Sequence, residues 1–256
     1  MNNSDNTKNK ILNGSLEVIQ PKSGYRFGFD AVFLSSFVNG FIEKKNRRKV
    51  MVADVGSGVG TISLILAFKN QNIKITAIEN NKEYLNLAKE NILNNHLDNK
   101  ITLLNKNIFN VGHNINEKFD LVVSNPPYHL TDSNFSKNDL KEISKRIVDL
   151  EKWLKNCIGL LKTKGYLFLI FPVDILDKVL NFIEISSGSF QIFPFWPKKN
   201  NSARRVILIA KKGGLGPTEL MTGLTLYNNK GVLTKRAQLV SKKGIISFWY
   251  RIYLRI

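Results

Sequence analysis

Residues 53–64 read ADVGSGVGTISL, and the run VMVADVG (50–56) leading into them is apolar and ends in glycine. An apolar run, glycines at 56, 58 and 60, and then the apolar TISLILAFKN (61–70) predict a strand that turns directly into a helix. Glycines in such a turn let the backbone approach a ligand and let strand and helix pack closely. Taken alone, the turn is equally a corner without a ligand. The next strand tips the balance. IKITAIE (73–79) ends in Glu79, 19 positions after Gly60. A spacing of about 20 puts an acid on ribose hydroxyls in nucleotide-binding crevices.

Outward from this corner, strand and helix patterns alternate. NKEYLNLAKENILNNH (81–96) has apolar residues at helical spacing, and KITLLNKN (100–107) and FDLVVSN (119–125) read as strands. IVDLEKWLKNCIGLLK (147–162) is an amphipathic helix stopped by Gly165, GYLFLIFP (165–172) a fifth strand, and 173–186 a helix. FQIFPFW (190–196) and RRVILIAKK (204–212) complete seven strands. The fold class expected is α/β: a Rossmann-like, doubly wound, mostly parallel seven-stranded sheet. Only residues 197–203 separate the last two strands, too few for a helical crossover, so the last strand is expected to be antiparallel. Three parts are expected: 1–49, a tail and a segment lying over the cofactor; 50–213, the core; and 214–256, a basic C-terminal segment. MNNSDNTKNKILNG (1–14) reads as a loose polar tail without the apolar stretch of a signal peptide. The polar residues 129–146 read as a mobile loop.

The net charge is +18. Residues 195–256 hold 13 Lys or Arg against one acid, Glu219. So basic a quarter attracts polyanions, nucleic acid before an anionic membrane. A composition rich in Lys, Asn and Ile also reflects AT-rich coding, which explains the lysines better than Arg204, Arg205, Arg236, Arg251 and Arg255. The lone cysteine, Cys157, allows no internal disulfide and reads as a packed thiol. Three scattered histidines give no zinc pattern, so no metal is expected. No apolar run is long enough to span a bilayer, and a cytoplasmic protein with no stable membrane association is expected.

The dinucleotide pattern needs G-x-G-x-x-G in order, whereas here the order is Asp54-x-Gly-x-Gly-x-Gly. An acid two positions before the first glycine suits a ligand with a cationic amino-acid end better than a pyrophosphate. S-adenosylmethionine, with its ammonium and sulfonium, is such a ligand. The fourth strand then ends in SNPPYHL (124–130). Each proline fixes φ, removes an N–H and pushes the residue before it to an extended conformation. The Asn125 side chain and the Pro126 carbonyl become stiff acceptors, and Tyr128 offers a flat face. Two acceptors aimed at the N–H bonds of a planar amine favour its reshaping toward sp³ as it attacks an activated methyl. Asp120 at the start of that strand reads as structural and His129 as a solvated loop residue.

ADVGSGVG resembles the first motif of Rossmann-type S-adenosylmethionine methyltransferases, and SNPPY the fourth motif of those acting on amino groups. QPKSGYRFGFDAVFLSSFV (20–38) is similar, through Gly24, Tyr25, Arg26, Phe27, Gly28, Asp30, Ala31 and Leu34, to the segment ahead of the first motif in bacterial tRNA adenine-N6-methyltransferases acting on valine tRNA. SARRVILIAKKG (202–213) and GLTLYNNKGVLTKRAQ (223–238) also resemble that family, so the resemblance covers about residues 11–240. It implies N6-methylation of an adenine beside the anticodon. Its cofactor residues would be Arg26, Asp30, Asp54, Gly56, Ser57, Gly58, Gly60, Glu79, Asn80, Asn107, Ile108 and Asn125. Asp54 would lie near the methionine end and Glu79 on the ribose. Asn107 stands at or near the position where the family commonly has an Asp for the adenine amine. Its catalytic loop would be Asn125, Pro126, Pro127 and Tyr128. Arg204 and Arg205, with Lys198, Lys199, Lys211 and Lys212, would hold phosphate of the partner tRNA, and a monomer is expected. The release-factor glutamine methyltransferases share Asn-Pro-Pro-Tyr. They resemble a core preceded by a separate helical domain, and the 49 residues before the first strand are expected to be too few for that domain plus the 20–38 element. Guanine-N2 ribosomal RNA enzymes, DNA adenine methyltransferases and a catalytically dead RNA-binding fold are the other readings. The tail SKKGIISFWYRIYLRI (241–256) departs from the family pattern and reads as an edge strand, an RNA-binding strand or an extension without function.

Overall fold

A computed structural model describes residues 6–23, 28–45, 49–111, 118–127 and 140–246, with the backbone alone at 45 and 140–145. The core sheet contains seven long strands: β3 (Val50–Val55), β4 (Ile73–Glu79), β5 (Ile101–Asn105), β6 (Phe119–Ser124), β7 (Leu161–Pro172), β8 (Ser187–Trp196) and β9 (Arg205–Lys212). Two short strands, β10 (Glu219–Leu220) and β11 (Leu224–Thr225), add parallel to β8. Across the sheet the long strands run β8-β9-β7-β6-β3-β4-β5. β9 is antiparallel to both neighbours, β7 and β8, while the pairs among β7, β6, β3, β4 and β5 are parallel. This is the doubly wound architecture expected, with its last long strand reversed.

Successive side chains of a strand face opposite layers, and both layers here are apolar. In β7, Leu167, Leu169 and Phe171 enter the cluster built with α4 (Leu140–Leu160) and α5 (Leu176–Ile183). Phe168 and Ile170 enter the other. That second cluster is covered by α1 (Phe29–Lys45), α2 (Thr61–Lys69), α3 (Lys82–Asn94) and α6 (Lys235–Lys243). α1 repeats phenylalanine every four residues on one face. Phe33 meets Phe195, Phe37 meets Phe193 and Phe41 meets Phe168, with ring centroids 5.1, 5.0 and 5.0 Å apart. Edge-to-face and tilted rings at this distance add to area burial. No helix among the described residues is long and apolar enough to cross a membrane.

Three expectations need correction. Residues 6–14 are not a loose tail: β1 (Asn6–Ile11) pairs antiparallel with β2 (Leu16–Pro21). The hairpin is held by side-chain amides that imitate a neighbouring strand. Asn91 accepts from Ile19 N–H (2.7 Å) and donates to Ile19 C=O (2.9 Å), and Asn95, one helical turn on, does the same for Glu17 at 3.0 and 2.7 Å. Polar composition concealed a hairpin whose partners lie some 70 residues away. Next, residues 140–146 are helical, because α4 starts seven residues before its apolar face becomes legible. Finally, β7 starts at Leu161, since Lys164, at φ 63°, lets the strand pass a β-bulge opposite Phe119–Leu121.

Candidate active site

β3 and β6 are parallel neighbours with Val55 opposite Ser124. The residues that leave the sheet next, Gly56 and Asn125, therefore emerge side by side. Gly56 has φ 72° and Gly60 φ 85°, the left-handed region that other L-residues enter at a cost. Gly56 and Ser57 donate to Ile78 C=O (2.9 and 3.1 Å), which folds the turn back over β4. Glu79, next in β4 and buried, fixes the turn from below. Its Oε2 accepts from Gly58 N–H (3.0 Å), and its Oε1 accepts from Asn80 and Asn81 N–H (2.8 Å each). Asn81 in turn caps α3 by accepting from Glu83 and Tyr84 N–H.

Asp54 is fully buried at the end of β3. Its Oδ2 accepts from the Ser63 hydroxyl (2.7 Å) and the Ser63 N–H (3.1 Å). Burial pushes its carboxyl from the ordinary 3.8 up to about 7; the Ser63 bonds offset part of this, and the charge of Glu79 adds to the rise. Asp54 Oδ1, Ser57 Oγ and Thr61 Oγ1 are buried and have no hydrogen-bond partner among the described residues. Buried polar atoms are normally satisfied, and three unsatisfied ones within eight residues mark a place for a polar ligand. A carboxylate with an unused oxygen fits a cationic group, and the two hydroxyls can donate or accept. This donor set suits the charged amino-acid end of S-adenosylmethionine.

The strand tip is packed from the other layer. Trp153 on α4 donates from Nε1 to Ser124 Oγ (3.1 Å), and Ser124 Oγ donates to Val55 C=O (2.8 Å). A methyl group added at Gly56 would lie 2.9 Å from Trp153 Cζ2 and Cη2, so the indole ring occupies the space a side chain there would need. Phe109 meets the same ring edge-on at 6.2 Å. Glycine turn and proline tip are thus bound to one tryptophan. Trp153 does not stand out in the sequence, where it lies within the amphipathic 147–162 pattern; the signal that could have found it is that an indole N–H packed against a core needs an acceptor.

Asn125 is half-buried, Pro126 buried and Pro127 exposed, whereas Tyr128 and Arg26 lie outside the described residues. Ile108 is buried under the end of β5, and Asn107 caps a 3-10 turn there by accepting from Phe109 N–H (3.0 Å). Asp30 is joined to Arg205, Nε to Oδ2 3.0 Å, so a residue expected at the cofactor and one expected at phosphate hold each other. Because β9 is reversed, Arg205 stands opposite Pro172, at the rim where the parallel strands end, with the exposed Arg204, Lys198 and Lys199 nearby in sequence. Lys211 and Lys212 stand at the opposite rim. Lys211 Nζ lies over the Tyr166 ring (5.9 Å) and Lys212 Nζ donates to Leu161 C=O (2.8 Å). Asp120 accepts from Met51 N–H and pairs with Lys162 at that same far rim, a structural role. Cys157 is buried, and burial pushes its thiol up, away from reactivity. No cluster of three or more His, Cys, Asp or Glu that could hold a metal ion occurs among the described residues.

Residues 35–170 match the methyltransferase small domain family. The chain is similar to a tRNA1(Val) (adenine(37)-N6)-methyltransferase of Bacteroides thetaiotaomicron, at 26% identity over 83% of this chain and 81% of that protein. It is also similar to a release factor glutamine methyltransferase of Bacillus cereus, at 38% identity over a shorter stretch, 31% of this chain and 28% of that protein. Among solved structures it resembles a predicted O-methyltransferase from Agrobacterium tumefaciens, with a TM-score of 0.68, 18% identity, and coverage of 84% of this chain and 97% of that one. The shared sheet, the glycine turn and a match over more than half the chain lead to one conclusion: this chain belongs to the methyltransferase small domain family and is a methyltransferase that uses S-adenosylmethionine.

Proposed function

We propose that the chain methylates the N6 amine of an adenine in tRNA, in the anticodon loop of valine tRNA. The observation that carries this reading is the register of Val55 with Ser124, which sets the glycine turn and the Asn-Pro-Pro tip on neighbouring strand ends. S-adenosylmethionine supplies a methyl group already activated on a sulfonium. Asp54, the 56–60 backbone with Ser57, Glu79 with Asn80, and Asn107 with Ile108 hold it, assisted by Arg26. Asn125 Oδ1 and the Pro126 carbonyl accept the two N–H bonds of the adenine amine, which directs the nitrogen lone pair out of the ring's π-system. Pro126 and Pro127 bring no N–H to compete, and Tyr128 stacks on the base. Positioning of two reactants supplies most of the acceleration, and no strong base is required. An anticodon-loop base is unpaired, so little energy is spent presenting it.

Lys198, Lys199 and Arg204 at the reactive rim take RNA phosphate, with Arg205 positioned through Asp30; Lys211 and Lys212 extend the basic surface elsewhere. The protein then works as a cytoplasmic monomer. The match to a tRNA methyltransferase extends over most of both chains, and this supports RNA over the release factor, whose methyltransferases match over less than a third. The test is transfer of labelled methyl to total tRNA lacking the native modification, with a release factor in parallel and nucleosides identified by mass spectrometry. N6-methyladenosine in tRNA is the expected product. Label in the release factor alone overturns the RNA reading and keeps the amine chemistry. Label in neither, with cofactor bound, directs the search to ribosomal RNA and DNA.

A further inference from the structure

Segments from opposite ends of the sequence meet outside the core sheet. Asn39 on α1 donates to Gly244 C=O (2.7 Å), and Ile246 N–H donates to Ser36 C=O (3.0 Å). Leu12, in the hairpin turn, packs against the end of α6, 2.9 Å from where a side chain on Gly244 would start. Between the hairpin turn, the start of α1 and the end of α6 lies a cleft of about 320 Å³. Leu12 and Val32 give it an apolar, buried lining. Phe29 is 45% exposed and stacks against Phe33 with centroids 5.7 Å apart and planes 21° apart. Asn13, Lys10 and Lys242 also line it, all three exposed, and none of its described lining residues is acidic.

A flat aromatic, an amide able to donate and accept, and two ammonium groups in one small cleft match the parts of a nucleotide. The ring suits the base, the amide a base edge and the lysines the phosphate. The size is at the low end of small-ligand sites, about 300–1,000 Å³, which admits a single unpaired nucleotide and excludes a duplex. The location suits a substrate that also reaches Asn125. Phe29 adjoins Asp30, which holds Arg205; Arg205 faces Pro172 of β7, and on the other side of β7 Leu169 faces Ser124. The Phe29 end of the cleft therefore lies toward the reactive rim, where β9 is two strand spacings, ~10 Å, from β6, while its Leu12 end runs back beside Lys69, at the end of α2 away from the glycine turn.

We propose that this cleft is a second nucleotide site, which takes one unpaired base of an RNA strand whose target adenine lies at Asn125. The proposal rests on the tRNA reading, and the experiment separates the two. Binding of a short fluorescein-labelled oligouridylate to the full chain is measured by anisotropy, alongside heparin as a polyanion without bases, cofactor affinity by calorimetry, and KM for unmodified tRNA. Phe29→Ala should weaken oligouridylate binding and raise the tRNA KM by about tenfold, with heparin and cofactor binding unchanged, and Phe29→Trp should restore both. The double variant Lys10→Glu with Lys242→Glu, at exposed positions, should weaken RNA and heparin together.

Unchanged RNA binding and KM in Phe29→Ala and in the lysine variant overturn the cleft, even if the wild type methylates tRNA. Equal loss of RNA and heparin binding in Phe29→Ala reduces the cleft to an anion patch and also overturns it. A wild type that methylates no RNA, yet binds oligouridylate through Phe29, keeps the cleft as a nucleotide site but overturns its link to a target adenine at Asn125, together with the tRNA reading. Should Phe29→Ala fail to fold, Phe29→Leu and the lysine variant carry the same comparison.

Discussion

The glycine turn after β3 and the proline tip after β6 stand on adjacent parallel strands, yet their backbones offer opposite chemistry. The turn uses positive φ angles and main-chain N–H groups, which Glu79 and Ile78 hold in place. The tip has had its donors removed by two prolines and keeps its carbonyls. With those N–H groups spent inside the protein, the turn presents the unused Asp54 oxygen and the Ser57 and Thr61 hydroxyls to a cofactor; a tip whose prolines offer carbonyls and no N–H suits an amine about to become cationic. Two ligands can thus meet across one strand spacing without either loop competing for the other's partner.

The largest expected break in this contrast is Asn125→Ala. Loss of one positioned acceptor should lower single-turnover methyl transfer roughly a hundred- to a thousandfold. Calorimetric cofactor affinity should stay as in the wild type, because the turn is untouched; a variant with normal turnover sinks the acceptor role. Asp54 comes next. Its folded pKa, about 7, lies above the ordinary 3.8, so the native state keeps a proton that the unfolded state releases. Stability of the cofactor-free protein should therefore fall as pH rises from about 4 to about 7 and level off above that. A cationic ligand prefers the carboxylate, so cofactor affinity should weaken by up to about tenfold per pH unit below 7. Asp54→Asn should bind more weakly with a flat profile, and an unaltered slope in that variant removes Asp54 from the contact.

The glycines give a smaller effect. Gly60→Ala meets Ala88 only at an ordinary 3.5 Å, so its cost is backbone strain of ~1–2 kcal/mol. Gly56→Ala adds the collision with Trp153 and should lower the denaturation midpoint further, a ranking that calorimetry can reverse. The smallest effect belongs to the bond between the two layers. Trp153→Phe keeps a ring and deletes the N–H, for ~1 kcal/mol. Turnover should fall several-fold, and a double-mutant cycle with Ser124→Ala should be non-additive; strict additivity would show that the hydrogen bond does not couple tip and turn.

Much of this was legible in order of sequence distance. Strand–turn–helix at 50–70, Glu79 at the end of the second strand and the proline tip are local patterns, and all of them lie at the same rim. The reversed strand was legible because residues 197–203 cannot hold a helix. What could not be read were partners set by tertiary packing. Asn91 and Asn95 look like surface residues of an amphipathic helix, yet they dock a hairpin. Asp30 and Arg205 carry charges suited to separate ligands and instead bind each other. A run of basic residues at 204–212 reads as one patch, but a strand of that length carries Arg204 and Lys212 to opposite rims.

The amide clasp between α3 and the hairpin contains no formal charge. Ionic strength screens charge pairs and strips RNA from basic surfaces, while leaving neutral hydrogen bonds in a buried setting almost untouched. A high-salt wash during purification should therefore release co-purifying nucleic acid and keep the N-terminal hairpin docked, with hydrogen exchange at the Ile19 amide as slow after the wash as before it.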